Sequence, residues 1–310
     1  MAGTHSAGVW LPSREVEFIV GTPPGGGQDR PARTLMRIMQ SASLVDAPMK
    51  ITNITGKGGG KAWDALRVRA GDPHVLSISA MPLLSNRIQG VSDYDHEALT
   101  PVANLYTEYL AFIVPAASPL RDAKSMLATL ATNPAGMKVA IATAIGTTNH
   151  VALGQLLMHG GADPRKLDLR VFDSALYAVD DVVAGNAQLG VISSVSARKA
   201  LEAGTVRVLA VSSMERLGGV FAGAPTWREL NVPCVLGQWR GLVGAPDIGV
   251  EHVAYWIGVL GEALQHPEWQ EELAANCWSP EFITGDALKD FLDRERAFSA
   301  KMLRALELVS

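Results

Sequence analysis

The sequence predicts an α/β protein whose sheets are largely parallel, and three observations support this prediction. Short apolar runs alternate with longer amphipathic ones along the 310 residues, which is the pattern of strands connected by helices. Apolar residues make up 48% and charged residues 19% of the chain, a composition that fills a large core and is far from that of a disordered protein. At roughly 150 residues per domain, the length suggests two domains, while one large domain stays open.

The individual elements follow from the apolar pattern. The segments with the short apolar character of strands are residues 16–21, 49–54, 75–79, 110–114, 137–143, 167–172, 189–193, 206–212 and 241–244. The segments with the i, i+3 and i+4 spacing of helices are residues 30–39, 120–130, 150–158 and 287–308. The last of these is expected to be a long amphipathic helix packed on a sheet, with a coiled-coil partner as the alternative.

Two turn-rich stretches are expected to be the crossings between two domains. Residues 115–119 end one strand before a new series of strands and helices, and residues 224–240 separate two later strands. The simplest arrangement is a first lobe of residues 1–115 and 236–310, with residues 116–235 inserted as a second lobe.

The charge and the cysteines exclude several classes of protein. Lys and Arg number 27 against 31 Asp and Glu, a net charge of −4, so no basic surface is available for nucleic acid. Cys234 and Cys277, the 2 cysteines of the chain, have no metal-ligand spacing. Two free thiols and one disulfide both remain open for them.

The sequence contains no membrane span and no visible export signal. No apolar run reaches the roughly 18 residues that a spanning helix needs. Residues 1–13 lack the apolar stretch of a secretory signal. The residues alone therefore leave open a cytoplasmic protein and a mature exported chain whose signal was replaced by a start methionine.

Two glycine clusters each join a predicted strand to a predicted helix. In the first, Gly25, Gly26 and Gly27 precede Asp29, and successive glycines let backbone N–H groups approach a ligand while the helix start adds partial positive charge. The expected ligand is an anion. Neither this cluster nor the second, residues 56–61, has the Walker or G-x-G-x-x-G spacing. A nucleotide is therefore not indicated, and a tight connection without a ligand is the alternative for each.

A third loop of the same kind, residues 143–150, lies in the predicted second lobe. Thr147, Thr148 and Asn149 can cap the helix that follows or bind a ligand. Ligands of open α/β sheets bind at the carboxyl ends of strands. Loops of this kind from two lobes that face each other would frame a cleft.

The sequence does not indicate catalytic machinery. None of the 7 His residues lies in HExxH, no G-x-S-x-G elbow occurs, and neither cysteine has an evident activating partner. Asp29 and His150 are the candidates for an acid and a base, but a carboxylate in a first helical turn also stabilises the helix, and His150 can be a capping or packing residue. A binding protein without metal or cofactor is therefore favoured over an enzyme.

The order of several motifs resembles that of a known family. Residues 23–33 resemble the P-G-G-x-x-D-x-x-A-R signature of the substrate-binding proteins of tripartite tricarboxylate transporters, called the Bug or TctC family. Other segments resemble further family motifs in the same order; these are Asn53 with the second glycine cluster and residues 72–76, 145–150, 172–174, 209–213, 224–226 and 239–242. The resemblance spans residues 14–308.

This resemblance implies a fold of the periplasmic binding protein type II kind, with two α/β lobes and a ligand cleft between them (a Venus flytrap). It implies a monomeric periplasmic receptor that captures a small organic carboxylate, a di- or tricarboxylate being favoured, for the membrane permease subunits of a tripartite tricarboxylate transporter. The signal peptide would then be absent from this sequence. A carboxylate-processing enzyme on the same scaffold and a ligand-sensing module for a signalling partner are the alternatives.

The loops and the resemblance together assign the expected ligand-binding residues. They are Thr22, Pro24, Gly25, Gly26, Gly27, Asp29, Lys57, Gly58, Gly59, Ser79, Ala80, Thr143, Gly146, Thr147, Thr148, His150, Asp173, Ser193 and Arg240. In the family, backbone amides, hydroxyls and ordered waters hold the carboxylate. Asp173 departs from the family pattern because it stands in place of a lysine. It would repel a simple dianion unless Arg240, Lys57 or Arg30 offsets its charge.

Overall fold

The computed structural model describes residues 10–142 and 144–309, which form two compact units. The first unit consists of residues 10–106, 239–272 and 281–297, and the second consists of the described residues of 107–238, 273–280 and 298–309. The chain passes from one unit to the other inside strands and helices. The crossing at 238/239 falls in the predicted stretch 224–240, whereas the crossing at 106/107 precedes the predicted stretch 115–119. Part of the C-terminal region, residues 273–280 and 298–309, belongs to the second unit. The lobe boundaries at 115/116 and 235/236 stay a prediction.

The first unit is built on three parallel strands and one antiparallel strand. Strand β1 (Val16–Val20) lies between β2 (Met49–Asn53) and β3 (Val75–Ala80). The helices between them are α1 (Asp29–Ser41) and α2 (Gly60–Arg67), and α3 (Pro82–Ile88) follows β3. Strand β4 (Thr100–Pro115) begins in this unit.

The later chain segments complete the first unit. From Trp239 onward, strand β9 (Gly237–Gly244) pairs antiparallel with β3, and Ala80 lies opposite Arg240. Helix α8 (Val250–Ala263) contacts α1. Parts of α9 (Pro267–Asn276), β10 (Trp278–Ile283) and α10 (Gly285–Ala305) also belong to this unit.

The second unit, like the first, contains three parallel strands, in the order β6, β5 and β7. Its elements are α4 (Ala123–Thr132), β5 (Lys138–Ala142), α5 (Thr148–His159), β6 (Asp168–Phe172), α6 (Ala175–Val183), β7 (Leu189–Ser193), α7 (Ser194–Glu202) and β8 (Val206–Val211). Strand β5 pairs in parallel with both β6 and β7. The second part of β4 pairs antiparallel with β7 and β8.

Strand β5 shows how the period-2 apolar pattern builds the core of the second unit. Val139 and Ile141 pack into one cluster with residues of α5, whereas Ala140 packs on the other side with Ala178 of α6. Successive side chains of a strand point to opposite faces, so both faces of the sheet are covered by helices. This arrangement explains why the strand is apolar throughout.

The sequence predicts most strands within one residue, and the exceptions have physical causes. β4 and β9 are longer than the predicted residues 110–114 and 241–244 because they continue through polar residues such as Asn104 and Gln238. β10 was not predicted, since it contains Pro280 and its apolar residues are interrupted by polar ones. Both cysteines are free. Among the described helices, none is both long enough and apolar enough to cross a membrane.

Candidate functional site

The first candidate site lies at the edge of the first unit where its parallel strands end. β1, β2 and β3 run in the same direction, so the loop after β1 (residues 21–28), Asn53 and Ala80 share this edge. β9 runs the opposite way, and its pairing places Arg240 beside Ala80. This is the position at which open α/β sheets bind ligands.

The buried side chain of Asp29, the first residue of α1, stabilises the loop after β1 through hydrogen bonds. Its side chain is fully buried and accepts hydrogen bonds from Gly25 N (2.7 Å), Arg33 Nε (2.7 Å) and Asn53 Nδ2 (2.8 Å). Burial alone would raise the pKa of this carboxyl, but the hydrogen bonds from Arg33, Asn53 and Gly25 outweigh burial and lower the pKa. Asp29 is therefore ionised, and its oxygens are engaged within the protein. Its place among the expected ligand-binding residues becomes that of a positioning residue.

Thr22 closes the same loop. Its Oγ1 accepts hydrogen bonds from the backbone N–H groups of Gln28 (3.3 Å) and Asp29 (3.2 Å). A Cβ on Gly26 would lie 2.7 Å from Thr22 Cβ and 2.9 Å from the Pro23 carbonyl oxygen. A side chain at position 26 would therefore collide with Thr22 and Pro23. Gly25 adopts the left-handed conformation with φ +81°, which glycine allows without strain.

Two backbone donors of the loop, the N–H groups of Thr22 and Gly27, make no hydrogen bond within the described residues, and the one at Gly27 lies beside a positive charge. The N–H groups of Gly25, Gly26 and Gln28 donate to Asp29, Pro23 and Thr22, respectively. The Gly27 N–H makes no hydrogen bond within the described part of the protein. Arg240 Nη2 lies 3.6 Å from the position that a Gly27 Cβ would occupy. An exposed amide, a guanidinium and the N-terminus of a 13-residue helix together favour an anion here.

The second glycine cluster supports the first loop. A Cβ on Gly21 would lie 2.4 Å from Gly59 Cα, so the two loops are in direct backbone contact. The buried Gln28 side chain accepts from Gly21 N (3.1 Å), and its Nε2 lies 3.0 Å from the position of a Gly59 Cβ. Gly59 therefore serves close packing, with φ +107°.

The other expected ligand-binding residues of the first unit differ in their exposure. Pro24, Lys57 and Gly58 are exposed. Ser79 and Ala80 are almost completely buried at the end of β3. At this edge the exposed groups are thus those of the two loops, while the end of β3 forms their base.

The second candidate site lies at the equivalent edge of the second unit, where β5, β6 and β7 end. Asn149 Nδ2 donates to the Val191 carbonyl at 2.6 Å, which fastens the start of α5 to β7. His150 Nδ1 accepts from Gly146 N at 3.1 Å, so the ring proton of a neutral imidazole lies on Nε2. Burial lowers the pKa of His150. The imidazole is neutral at pH 7.

Neutral hydroxyl groups complete this second edge. Thr147 Oγ1 donates to the Ala144 carbonyl at 2.8 Å, Thr148 is buried at the start of α5, and Ser193 Oγ lies 2.9 Å from Ser196 Oγ. Asp173, after β6, is exposed. Thr143 lies outside the described residues. The structure brings the predicted residues together within each unit, and their joint action on one ligand stays a prediction.

Two residues that shape the first site were not among the expected ligand-binding residues. Arg33 forms a bidentate ion pair with Asp29. The i, i+4 spacing of the two residues indicates such a pair in the sequence. Gln28 fills a variable position of the family signature. No sequence pattern indicates that it joins two loops.

Comparisons with known proteins agree on one family. The TctC family, described as the tripartite tricarboxylate transporter family receptor, matches residues 35–308. A UPF0065 protein from the tcbD-tcbE intergenic region of Pseudomonas sp. strain P51 is 30% identical over 66% of this chain, and the match spans 60% of that protein. Protein BugT of Bordetella pertussis is 25% identical over 92% of this chain and 86% of its own length.

Solved structures show the same fold. A ligand-free TctC solute-binding protein from Polaromonas has a TM-score of 0.82 and 23% identity, with 94% of this chain and 99% of that chain covered. An adipate-bound protein of R. palustris has a TM-score of 0.80 and 18% identity, with 96% and 99% covered. MatC of Rhodopseudomonas palustris with bound malate has a TM-score of 0.72 and 21% identity, with 97% and 100% covered. The fold is thus the periplasmic binding protein fold of the TctC type, as the sequence predicts. The chain belongs to the TctC, or Bug, family, and it is a solute-binding receptor rather than an enzyme.

Proposed function

We propose that this receptor captures a small organic carboxylate in the periplasm and delivers it to the membrane permease subunits of a tripartite tricarboxylate transporter. The observation that carries the proposal is the Gly27 N–H, which has no partner in the described protein and lies next to the Arg240 guanidinium. Family membership and the relatives that bind malate and adipate support a carboxylate as the anion. The favoured di- or tricarboxylate and the monomeric state remain predictions.

The first loop can bind an anion because its own charges are already balanced. The Asp29 carboxylate is paired with Arg33 at 2.7 Å, so it does not repel a ligand carboxylate. The loop is held by Thr22, Asn53 and Asp29 before any ligand arrives, and preorganisation lowers the entropy cost of binding. A carboxylate accepting from Gly27 N and Arg240 makes charge-assisted hydrogen bonds, which are stronger than neutral ones.

The ligand-binding residues expected in the second unit are proposed to act as neutral donors at its own edge. The His150 Nε2–H and the hydroxyls of Thr148 and Ser193 carry no charge, whereas the Thr147 hydroxyl already donates to the Ala144 carbonyl. Such groups orient a ligand without adding net attraction. This part of the proposal is tested separately from the first loop, because variants in each unit report on each edge independently.

Ligand-induced thermal stabilisation tests the proposed function. A ligand that binds only the folded protein raises the melting temperature. We expect at least one member of a panel of mono-, di- and tricarboxylates to do so for the native protein. Arg240→Ala should lose most of that shift. Arg14→Ala is the matched control, since Arg14 pairs with Asp72 before β1, at the opposite end of the strands, and should keep the full shift. No shift with any acid of the panel would contradict the proposal.

A further inference from the structure

The first unit brings one histidine and two carboxylates together between the segment before β4 and helix α10. His96 and Glu97 lie in a short 3₁₀ turn (His96–Ala98), and Asp293 lies on α10. All three residues belong to the first unit, and one ligand atom from each lies within 4.8 Å of the other two. We call these three residues the His96 cluster. They are far apart in the sequence, so no motif spacing indicates them.

The imidazole of His96 is buried, and its hydrogen-bonding capacity is not used. His96 is 3% exposed, and its Nδ1 has no hydrogen-bond partner within the described part of the chain. Its Nε2 faces Asp293, with 3.7 Å between Nε2 and Asp293 Oδ1, which is too long for a hydrogen bond. Most buried polar side chains have a partner. A cation bound at Nε2 would supply one, because imidazole nitrogen is a common metal ligand.

Asp95 lies on the other side of the imidazole. His96 Nδ1 is 3.9 Å from Asp95 Oδ1, which is close to hydrogen-bond range, and Asp95 is buried. Its Oδ1 also accepts from Glu97 N at 3.1 Å, so its position is fixed. Metal-bound histidines commonly direct their other ring N–H at a carboxylate, which sets the tautomer and orients the ring. Asp95 has the place of such a supporting carboxylate.

The guanidinium of Arg296 balances the negative charge around the His96 cluster. Its Nη1 lies 3.1 Å from Glu97 Oε1 and 3.2 Å from Asp95 Oδ2, and its Nη2 lies 3.0 Å from Asp293 Oδ1. The side chains of Glu97 and Asp293 are 62% and 32% exposed, and ion pairs of such groups are weak. A divalent cation can therefore replace Arg296 at these two carboxylates. Arg296 would stay paired with the buried Asp95, and Asp293 Oδ2 would keep its contact with Lys289 (2.7 Å).

We propose that the His96 cluster binds one divalent transition-metal cation of the Zn²⁺ class through His96 Nε2 and the carboxylates of Glu97 and Asp293, with water as the fourth ligand. Zinc binds nitrogen and oxygen ligands at about 2.0–2.2 Å, which sets tetrahedral ligand atoms roughly 3.3–3.6 Å apart. The 3.7 Å between His96 Nε2 and Asp293 Oδ1 is near this separation, and the exposed Glu97 can approach them.

The ligand set also determines which cations are disfavoured. Mg²⁺ and Ca²⁺ prefer shells of six or more oxygen ligands, whereas an imidazole nitrogen favours zinc and related metals. The bound metal would link the segment before β4 to α10. This site is independent of the proposed carboxylate binding.

Zinc titration of the metal-free, untagged chain at pH 7.5 tests the proposal. Competition with a fluorescent zinc chelator should show saturable binding of one Zn²⁺ per chain. His96→Gln and Asp293→Asn should each weaken this binding by about tenfold or more. Asp293 is partly exposed, so its variant serves even if replacement of the buried His96 impairs folding. His252→Gln is the matched control, since His252 lies 3.6 Å from a single carboxylate, that of Glu251, and it should keep the native affinity.

Thermal denaturation with different cations supplies a second measurement. Zn²⁺ should raise the melting temperature of the native protein, since it binds the folded form, and Asp293→Asn should lose most of this rise. Mg²⁺ and Ca²⁺ at the same concentration should have little effect. The absence of saturable zinc binding, or equal zinc affinity in the native protein and both cluster variants, would overturn the proposal. So would equal stabilisation by Ca²⁺, because the histidine would then not determine which metal binds.

Discussion

The loops at the carboxyl edges of the two units share one local plan but are stabilised by different chemistry. In the first unit, the ionised Asp29 is fully buried and paired with Arg33, and Arg240 lies beside Gly27, whose N–H makes no hydrogen bond within the described residues. In the second, the loop after β5 is held by the neutral contacts of Asn149 and His150. The comparison shows that loops of the same local plan are fastened by a buried ion pair in one unit and by neutral hydrogen bonds in the other.

Removing the Asp29 carboxylate is the change with the largest expected effect on this comparison. Asp29→Ala leaves Gly25 N, Asn53 Nδ2 and the Arg33 guanidinium without their shared acceptor. Loss of a buried, charged acceptor costs roughly 3 kcal/mol of the free energy of unfolding. Urea denaturation of the variant and the native protein measures this cost, and carboxylate binding should be lost as well.

Asp173→Ala is the matched control for Asp29→Ala. It also removes a carboxylate that lies between a strand and a helix, but Asp173 is exposed. Its effect on the free energy of unfolding should stay within about 0.5 kcal/mol. Equal losses for the two variants would contradict the contrast between a buried, paired carboxylate and an exposed one.

A threonine in each loop offers a finer comparison. Thr22 Oγ1 accepts two backbone N–H groups, whereas Thr147, the residue before α5, donates to Ala144 and makes no side-chain cap. Thr22→Val should cost about 1–2 kcal/mol because Gln28 N and Asp29 N lose an acceptor. Thr147→Val should cost about 0.5 kcal/mol or less.

Thermal and urea denaturation of Thr22→Val and Thr147→Val measure how much unfolding free energy each variant loses. Valine has nearly the shape of threonine, so each change reports on the hydroxyl rather than on packing. Thr22→Ser and Thr147→Ser keep the hydroxyl and should both remain close to the native protein. A larger loss at Thr147 than at Thr22 would show that the second loop depends on its hydroxyl more than its hydrogen bonds indicate.

The sequence predicts the parts of these loops that depend on local chemistry. Glycines 25–27 before a helix, Thr147 at the residue before α5, and the apolar strands are visible without a structure because each depends on neighbours in the chain. The expected side-chain cap by Thr147 is not formed. The i, i+4 pair of Asp29 and Arg33 is equally local. The resemblance to the family then predicts which of several glycine loops bind a ligand.

The remaining features depend on contacts between distant residues. The inward direction of Asp29 follows from Asn53, on another strand. The close approach of Gly21 to Gly59, where a Cβ on Gly21 would lie 2.4 Å from Gly59 Cα, follows from the pairing of β1 with β2 and β3. The unit boundaries fall inside β4, β9, α9, β10 and α10, so no change in composition marks them. The turn-rich stretch at 115–119 lies within the second unit, whereas the stretch at 224–240 includes the boundary at 238/239.

The smallest expected effect is a pH dependence that belongs to the second loop. Burial lowers the pKa of His150 below its ordinary value of 6.5. The unfolded chain therefore binds a proton more readily than the folded protein, and His150 lowers stability as the pH falls below about 6.5. Asp29, whose pKa is lowered from 3.8, loses its contribution only at more acidic pH. The two loops thus respond to acid in separate pH ranges.

The difference in stability between the native protein and His150→Gln isolates this effect, because the other titrating groups are common to both. Burial also lowers the pKa of His96, and burial and the charge of Glu281 raise the pKa of Glu295 to about 7, but both contributions cancel in the difference. Urea midpoints measured from pH 8 to pH 5 should converge or cross as the pH falls, with the native protein losing more stability than the variant. A difference that is constant over this range would mean that His150 titrates normally, and the second loop would then carry a positive charge at mildly acidic pH.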